Sequence, residues 1–376
     1  MRKNLFVRSI AAVSGIVMLA SLAACGDNTS SAGNNSGSTS TEKITGSFSG
    51  AGATSQQAAE EAWISAYMAA NSGANVTYNP TGSGAGVTTF LSGAAAWAGS
   101  DKALSDDEVT QSSDKACANG TTAFDVPVYI SPIAIIFNLK GVSDAGKHIN
   151  LDADTAAKIF DGKIVKWNDP AIATQNKDLT LPDTQITVVH RSDKSGTTQN
   201  FVSYFKDQAP DSWTHELSEN WPDIPGQQSA KGTSGVVTAV KQADGTIGYA
   251  DFSQVGDLGT AAIKVGENYN EISADAGSKV IEDSEIDTSV KGDNRVVVKI
   301  NHATEAKGAY PIVLVSYDIA CPAYKDASTA KFVKSWLTYV TSDEGQKTAS
   351  SAAGSAPLPS NIVKKVTKSI EAIKTK

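Results

Sequence analysis

The strongest constraint on this chain is one pattern met three times: glycine interleaved with hydroxyl residues, set between a β-type run and a helical run. The fullest copy is Val188-Val189-His190-Arg191-Ser192-Asp193-Lys194-Ser195-Gly196-Thr197-Thr198. Ile186, Val188 and Val189 read as the end of a strand, and Gln199 to Phe205 continue as a helix. A strand, a sharp turn and a helix N-terminus with hydroxyls at its mouth suit an anion, because unpaired N–H groups and the helix dipole both favour negative charge. Arg191 adds a planar fork of donors suited to a tetrahedral oxyanion, and Asp193, two residues on, stands where it can hold that fork. Gly50-Ala51-Gly52-Ala53-Thr54-Ser55 precedes a helical pattern with Trp63, Ala66 and Tyr67 on one face. Thr81-Gly82-Ser83-Gly84-Ala85-Gly86 follows Val76-Thr77-Tyr78 and precedes Val87 to Leu91. One such loop says little, since small residues are common at turns. Three predict several helix N-termini converging on one small anion.

Strands alternate with helices along the chain, which indicates α/β layers. Phe48 starts a short strand, and Ala96 to Asp101 reads as another that ends in a carboxylate. Pro127 to Phe137 is a continuous β-branched and apolar run, a buried strand and a good crossing point between two domains. Ala153 to Phe160 is a helix, Trp167-Asn168-Asp169-Pro170 starts a short one, and Ser234 to Val240 is a third. Thr246 to Tyr249 is a short strand. Gln254 to about Lys307 is polar and gives no clear period. Ile312 to Val315 reads as a strand returning to the first domain. Phe332, Trp336, Leu337 and Val340 mark an amphipathic helix, and Ile362, Val366, Ile370 and Ile373 a last one, with Ser360 as N-cap.

The first residues read as an export leader. Arg2, Lys3 and Arg8 precede an apolar run, Ile10 to Ala20, too short for a comfortable membrane span. Leu22-Ala23-Ala24-Cys25 is a small-residue cleavage site with cysteine directly after it, as in a bacterial lipoprotein signal; the plainer alternative is a secretory signal with a chance cysteine. On the lipoprotein reading residues 1–24 are removed, Cys25 carries lipid, and 25–45, rich in Ser, Thr, Asn and Gly, is a flexible tether. Cys117 and Cys321 then form an even pair, which in an exported protein favours a disulfide over two buried thiols.

The whole chain has 32 basic and 40 acidic residues, and losing the leader leaves 29 basic residues against the same 40. A net acidic surface argues against nucleic acid and against a polybasic membrane patch. An anion site must therefore work by local preorganisation. His148, His190, His215 and His302 are scattered without metal spacing, and no phosphate-binding Gly-x-x-x-x-Gly-Lys-Ser/Thr loop, full dinucleotide fingerprint or Gly-x-Ser-x-Gly elbow occurs. No metal or cofactor is expected. His190, Asp193 and Ser195 invite a hydrolase reading, but a strand sets His190 and Arg191 on opposite faces. Trp63, Trp97, Trp167 and Trp336 are most simply core.

Together these stretches resemble the substrate-binding protein of the bacterial ABC phosphate importer. Its anion loops look like Gly-Ala-Gly-Ala-Thr, Gly-Ser with further glycines, and Arg-x-Asp-x-Ser-Gly-Thr, all present here in order. Ala98-Gly99-Ser100-Asp101 is similar to its Gly-Ala-Ser-Asp element, and Gly162-Lys163-Ile164, Trp167-Asn168-Asp169, Ile247-Gly248-Tyr249 and Pro357-Leu358-Pro359 match outside the site. The resemblance implies a two-lobed, periplasmic-binding-protein-like α/β fold (type II-like), with lobe I from 46–127 and 306–376, lobe II from 128–305, and a ligand cleft between them. It implies a monomer that binds inorganic phosphate outside the cell membrane, delivers it to the permease subunits and catalyses nothing. The ligands carried over are Thr54, Ser55, Ser83, Asp101, Arg191, Ser195, Gly196 and Thr197, with Asp193 orienting Arg191. The family often has an aromatic residue where Ser55 stands. Each ligand also has a plainer reading: Arg191 as half of an ion pair with Asp193, the hydroxyl residues as helix caps, Asp101 as a turn or cap residue. Asp101 is the most telling, because a carboxylate facing an anion makes sense only if that anion carries a proton. The competing readings are another tetrahedral oxyanion, such as sulfate or molybdate, and a secreted phosphoester hydrolase with Ser195 as nucleophile.

Overall fold

The computed structural model describes residues 43–143 and 146–376. The expected signal segment, Cys25 and all but the last three residues of the tether lie outside that range. The chain begins β1 (Gly46–Gly52), α1 (Gln57–Ala70), β2 (Ala74–Asn79), α2 (Ser83–Leu91), β3 (Trp97–Ser100) and α3 (Asp106–Lys115). The long strand β4 (Phe124–Asn138) leads to β5 (Ile149–Leu151), α4 (Ala153–Phe160), α5 (Pro170–Ala173), β6 (Thr187–Arg191), α6 (Gly196–Gln208), β7 (Gln228–Ala230), α7 (Gly232–Gln242) and β8 (Thr246–Asp251). Then come β9 (Gly259–Val265), β10 (Asn268–Asn270), α8 (Ala274–Glu282) and the short pair β11 (Glu285–Ile286) and β12 (Val298–Lys299). Strand β13 (Val313–Ala320) returns to the first half, and α9 (Ala327–Val340), α10 (Asp343–Ala353) and α11 (Ser360–Glu371) follow.

The main sheet runs in the order β2-β1-β3-β13-β4-β8-β6-β7. β1 is parallel to β2 and β3, and β6 is parallel to β7 and β8. β4 joins these two parallel groups. Its first part, Phe124 to Pro132, pairs with β13, and its second part, Ile133 to Asn138, pairs with β8. One strand thus lies in both cores, which is why its apolar run shows no alternation: every residue but Asn138 is buried. In the first core Phe48 stacks on Phe332 at 4.1 Å and Trp97 lies 5.3 Å from Trp336. In the second, Phe201 stacks on Tyr249 at 4.4 Å, beside Phe160 and Trp221. The four tryptophans assigned to the core, Trp63, Trp97, Trp167 and Trp336, are all fully buried. Cys117 and Cys321 form a disulfide that ties the end of α3 to the end of β13.

Some local expectations are corrected. Gly50 to Gly52 belong to β1, paired with β3 at Gly50–Trp97 and Gly52–Gly99, so the turn starts only at Ala53. Ser360 is the first helical residue and not the N-cap of α11. Pro359 takes that place, and its carbonyl accepts the N–H groups of Ile362 and Val363. Residues 254–307 hold regular structure that the sequence hid: the buried middle of β9 is Ala261 and Ala262, whose small side chains give little hydrophobic contrast, with Ile263 its one large apolar residue there. α3 was hidden by its polarity, for only Val109 and Ser112 are buried; its signal is the Ser105–Glu108 capping box.

Candidate functional site

The carboxyl ends of β1, β2, β3 and β6 meet at one place, where an open α/β sheet presents its helix N-termini. β1 runs into Thr54 and Ser55, β2 into Gly82 and Ser83, β3 into Asp101, and β6 into Arg191 to Thr197. All the residues carried over as ligands are brought together and buried, Asp101 at 2% exposure and Arg191 at 3%. The hydroxyls of Ser55 and Thr197 donate to the two oxygens of Asp101, each at 2.6 Å. The Asp101 N–H donates to Ser83 Oγ at 3.2 Å. Ser195 caps α6, its Oγ accepting the N–H of Thr198 at 3.1 Å. Helix geometry leaves the first-turn N–H groups of Gly196 and Thr197 without intrahelical partners.

Arg191 is held as its neighbour two positions on suggested. Asp193 accepts from Nε at 2.8 Å and Nη2 at 2.6 Å, so the two N–H groups of Nη1 and the second of Nη2 are left over. Asp193 also accepts the Gly232 N–H at 2.9 Å. Burial alone would raise the Asp193 carboxyl, but the guanidinium and that N–H outweigh it and hold the pKa below its usual value. The charge of Arg191 is thus largely matched by Asp193, and hydrogen-bond geometry, more than net charge, is what the site offers.

The two halves touch through these loops. A Cβ on Gly82, whose φ is +98°, would lie 2.4 Å from Asp193 Oδ2, and one on Gly196 would lie 2.8 Å from Ser83 Oγ. Glycine is required at both because each faces a side chain of the opposite half. Thr54 and Thr233 face each other at 2.9 Å between their hydroxyls, and the Thr233 N–H donates to Thr54 Oγ1 at 3.1 Å. Asn200 donates to the Asp101 carbonyl at 2.6 Å. At the rim, Glu219 lies 3.9 Å from Lys102 and 3.6 Å from Lys194, and burial raises its pKa despite both cations.

Thr233, Asn200 and Ser316 were missed. Gly232-Thr233-Ser234-Gly235 is a fourth glycine–hydroxyl run, opening α7 just after β7, so the same pattern could have found Thr233. Ser316 opens a polar stretch, Ser316-Tyr317-Asp318, inside the otherwise apolar β13, and that interruption is its signal. His190 faces away, stacked on Trp221 at 5.4 Å with Nδ1 on the Arg191 carbonyl, and burial lowers its pKa.

Two α/β halves, joined by shared strands and closing loop on loop around a buried set of hydroxyls, N–H groups and one arginine, define a two-lobed binding protein of the periplasmic type. Residues 37–344 match the model of a PBP superfamily domain. The phosphate-binding protein PstS2 of Mycobacterium bovis is 36% identical over 98% of this chain and 99% of its own length. The phosphate-binding protein PstS of Xylella fastidiosa is 32% identical over 85% of this chain and 83% of its own. A high-affinity periplasmic phosphate-binding protein solved with phosphate shares the fold at a TM-score of 0.70 and 22% identity, covering 86% of this chain and 93% of that one. The chain belongs to the PstS family of phosphate-binding proteins.

Proposed function

We propose that this protein binds inorganic phosphate outside the cell membrane and delivers it to the permease of an ABC phosphate importer. The observation that carries the reading is Asp101, an acceptor buried among donors where four strand ends meet. Phosphate near neutral pH carries a proton for it and sulfate does not. The ligand set we propose is Thr54, Ser55, Ser83, Asp101, Arg191, Ser195, Gly196 and Thr197, with Asp193 fixing the arginine. The Ser55 hydroxyl is committed to Asp101, which favours a ligand contact through its backbone N–H. The proposed bodies are 46–127 with 306–376, and 128–305. The protein turns nothing over: Ser195 Oγ serves as a helix cap, and His190 is turned to its own neighbour's carbonyl. Leu22-Ala23-Ala24-Cys25 supports cleavage before Cys25 and a lipid anchor there.

Calorimetric titration with phosphate, sulfate and arsenate tests the reading. Phosphate should bind and sulfate should not compete at equal concentration; equal binding of the two would sink it. A chromogenic phosphate ester should stay intact. Asp101→Asn removes the repulsion and supplies an amide donor, so it should lose phosphate-over-sulfate discrimination by gaining sulfate. Arg191→Ala should weaken both anions and leave their ratio nearer the parent's. Cys25→Ser should release the protein from the membrane fraction; a variant as membrane-bound as the parent rules out the anchor.

A further inference from the structure

Asp101 has a third donor from outside the loops. Ser316, on β13, donates to Asp101 Oδ1 at 2.6 Å, the same oxygen that Ser55 engages. The direction of that bond is set from behind. Gln56 Nε2 donates to Ser316 Oγ at 2.7 Å and to the Tyr317 carbonyl at 3.3 Å. A carbonyl can only accept, so Tyr317 fixes which end of the Gln56 amide faces this way. The Ser316 oxygen therefore accepts from Gln56, and its single proton is left for Asp101. The backbone is shaped to allow this. The pairing of β13 with β4 shifts register between Ser316 and Tyr317, opposite Tyr129 and Pro127, so Val128 is an extra residue. Such a bulge re-aims the side chains beside it, and Pro127 has no N–H to lose there. The Val128 carbonyl is satisfied by Gln346 at 2.9 Å.

We infer that Gln56 and Ser316 are positioning residues that hold the Asp101 carboxylate oriented as an acceptor and thereby set the preference for a protonated tetrahedral oxyanion over an unprotonated one. With Ser55 and Ser316 both donating to Oδ1, that oxygen has no place for a proton. Thr197 donates to Oδ2, which keeps one lone pair for the ligand. The ligand must therefore bring the proton. Thr197 reaches Asp101 from the opposite half, and so acts only when the halves meet. Gln56 and Ser316 come from the same half as Asp101, so the carboxylate is already an oriented acceptor before closure. Both residues are fully buried. Without Ser316, Oδ1 has a free site, and the carboxyl can turn its lone pairs away, so an oxyanion without a proton meets less repulsion.

The inference rests on the phosphate reading above, and the experiment separates the two. Phosphate and sulfate are titrated calorimetrically into the parent, Ser316→Ala, Ser316→Thr and Gln56→Met, with melting curves for each. Losing one hydrogen bond to a charged group corresponds to roughly tenfold at the lower end of its range. The phosphate-to-sulfate ratio should therefore fall about tenfold in Ser316→Ala, mainly through sulfate, and return in Ser316→Thr, which keeps the hydroxyl. Gln56→Met removes the donor without touching Ser316 and should shift the ratio in the same direction. Parent ratios in both Ser316→Ala and Gln56→Met overturn the inference while leaving the phosphate reading intact. A parent protein that does not bind phosphate overturns both.

Discussion

Behind Gln56 lies Asp318, a carboxyl buried beside a second one, Glu60. Burial pushes the Asp318 pKa up to about 8, and neither of its carboxyl oxygens has a hydrogen-bond partner among the described residues. Burial, and then the charge of Asp318, raise Glu60 as well, against one hydrogen bond from Trp97. The consequence for stability has a definite sign. Below the ordinary value of 3.8 both folded and unfolded chains hold the Asp318 proton; from there to about 8 only the folded chain does. Stability contributed by this group therefore falls as pH rises across that window. Asp318→Asn cannot ionise, so its melting temperature should decline less than the parent's between the acid and alkaline ends. Parallel declines in the two proteins would show that Asp318 is charged in the fold throughout. Asp251, pushed up to about 7 by burial, acts in the same direction and leaves the variant with a residual slope.

At the scale of elements, the Cys117–Cys321 bond joins the ends of α3 and β13 across 204 residues of sequence. Closing so long a loop restricts the unfolded chain, and losing a native bridge costs about 2–5 kcal/mol. Cys117→Ala with Cys321→Ala should lower the urea midpoint accordingly, and an unchanged midpoint would mean that packing alone holds these ends. The elements also show what a sequence discloses. The grouping of the candidate residues was legible because the pattern is local: three of the loops are contiguous runs of glycine and hydroxyl residues, and Asp101 ends a readable strand. β4 and the tryptophan cores were legible from unbroken apolar runs and helical spacing. What stayed hidden depends on partners distant in sequence. Ser316 matters only because β13 lies beside β3 and β4, and β9 is a strand because neighbours cover its alanines. Ser360 failed as a cap because Pro359 already supplies the carbonyl and the φ that starts the helix.

At the scale of the whole molecule, the two halves meet at the loops through individual side-chain bonds, so single bonds between them should set how long a ligand stays. The Thr54–Thr233 clasp joins the halves without belonging to either core. Thr233→Val keeps the shape and removes the hydroxyl. A net hydrogen bond of about 0.5–1.5 kcal/mol corresponds to roughly 2- to 12-fold, which should appear in the off-rate by stopped flow with the unliganded melting temperature unchanged. An unaltered off-rate would remove the clasp from closure. The shared strand bears on how the molecule comes into being. A chain delivered N-terminus first presents β1, β2 and β3 early, yet β3 must wait for β13 before its open edge is filled. β5, β6 and β7 find all their partners sooner. An exposed edge invites pairing with another chain. Protein truncated before Val313 should therefore accumulate as aggregate, whereas full-length protein in a timed thiol trap should close Cys117–Cys321 as its last event. The end of this chain is the keystone of its beginning: birth order and assembly order run in opposite directions.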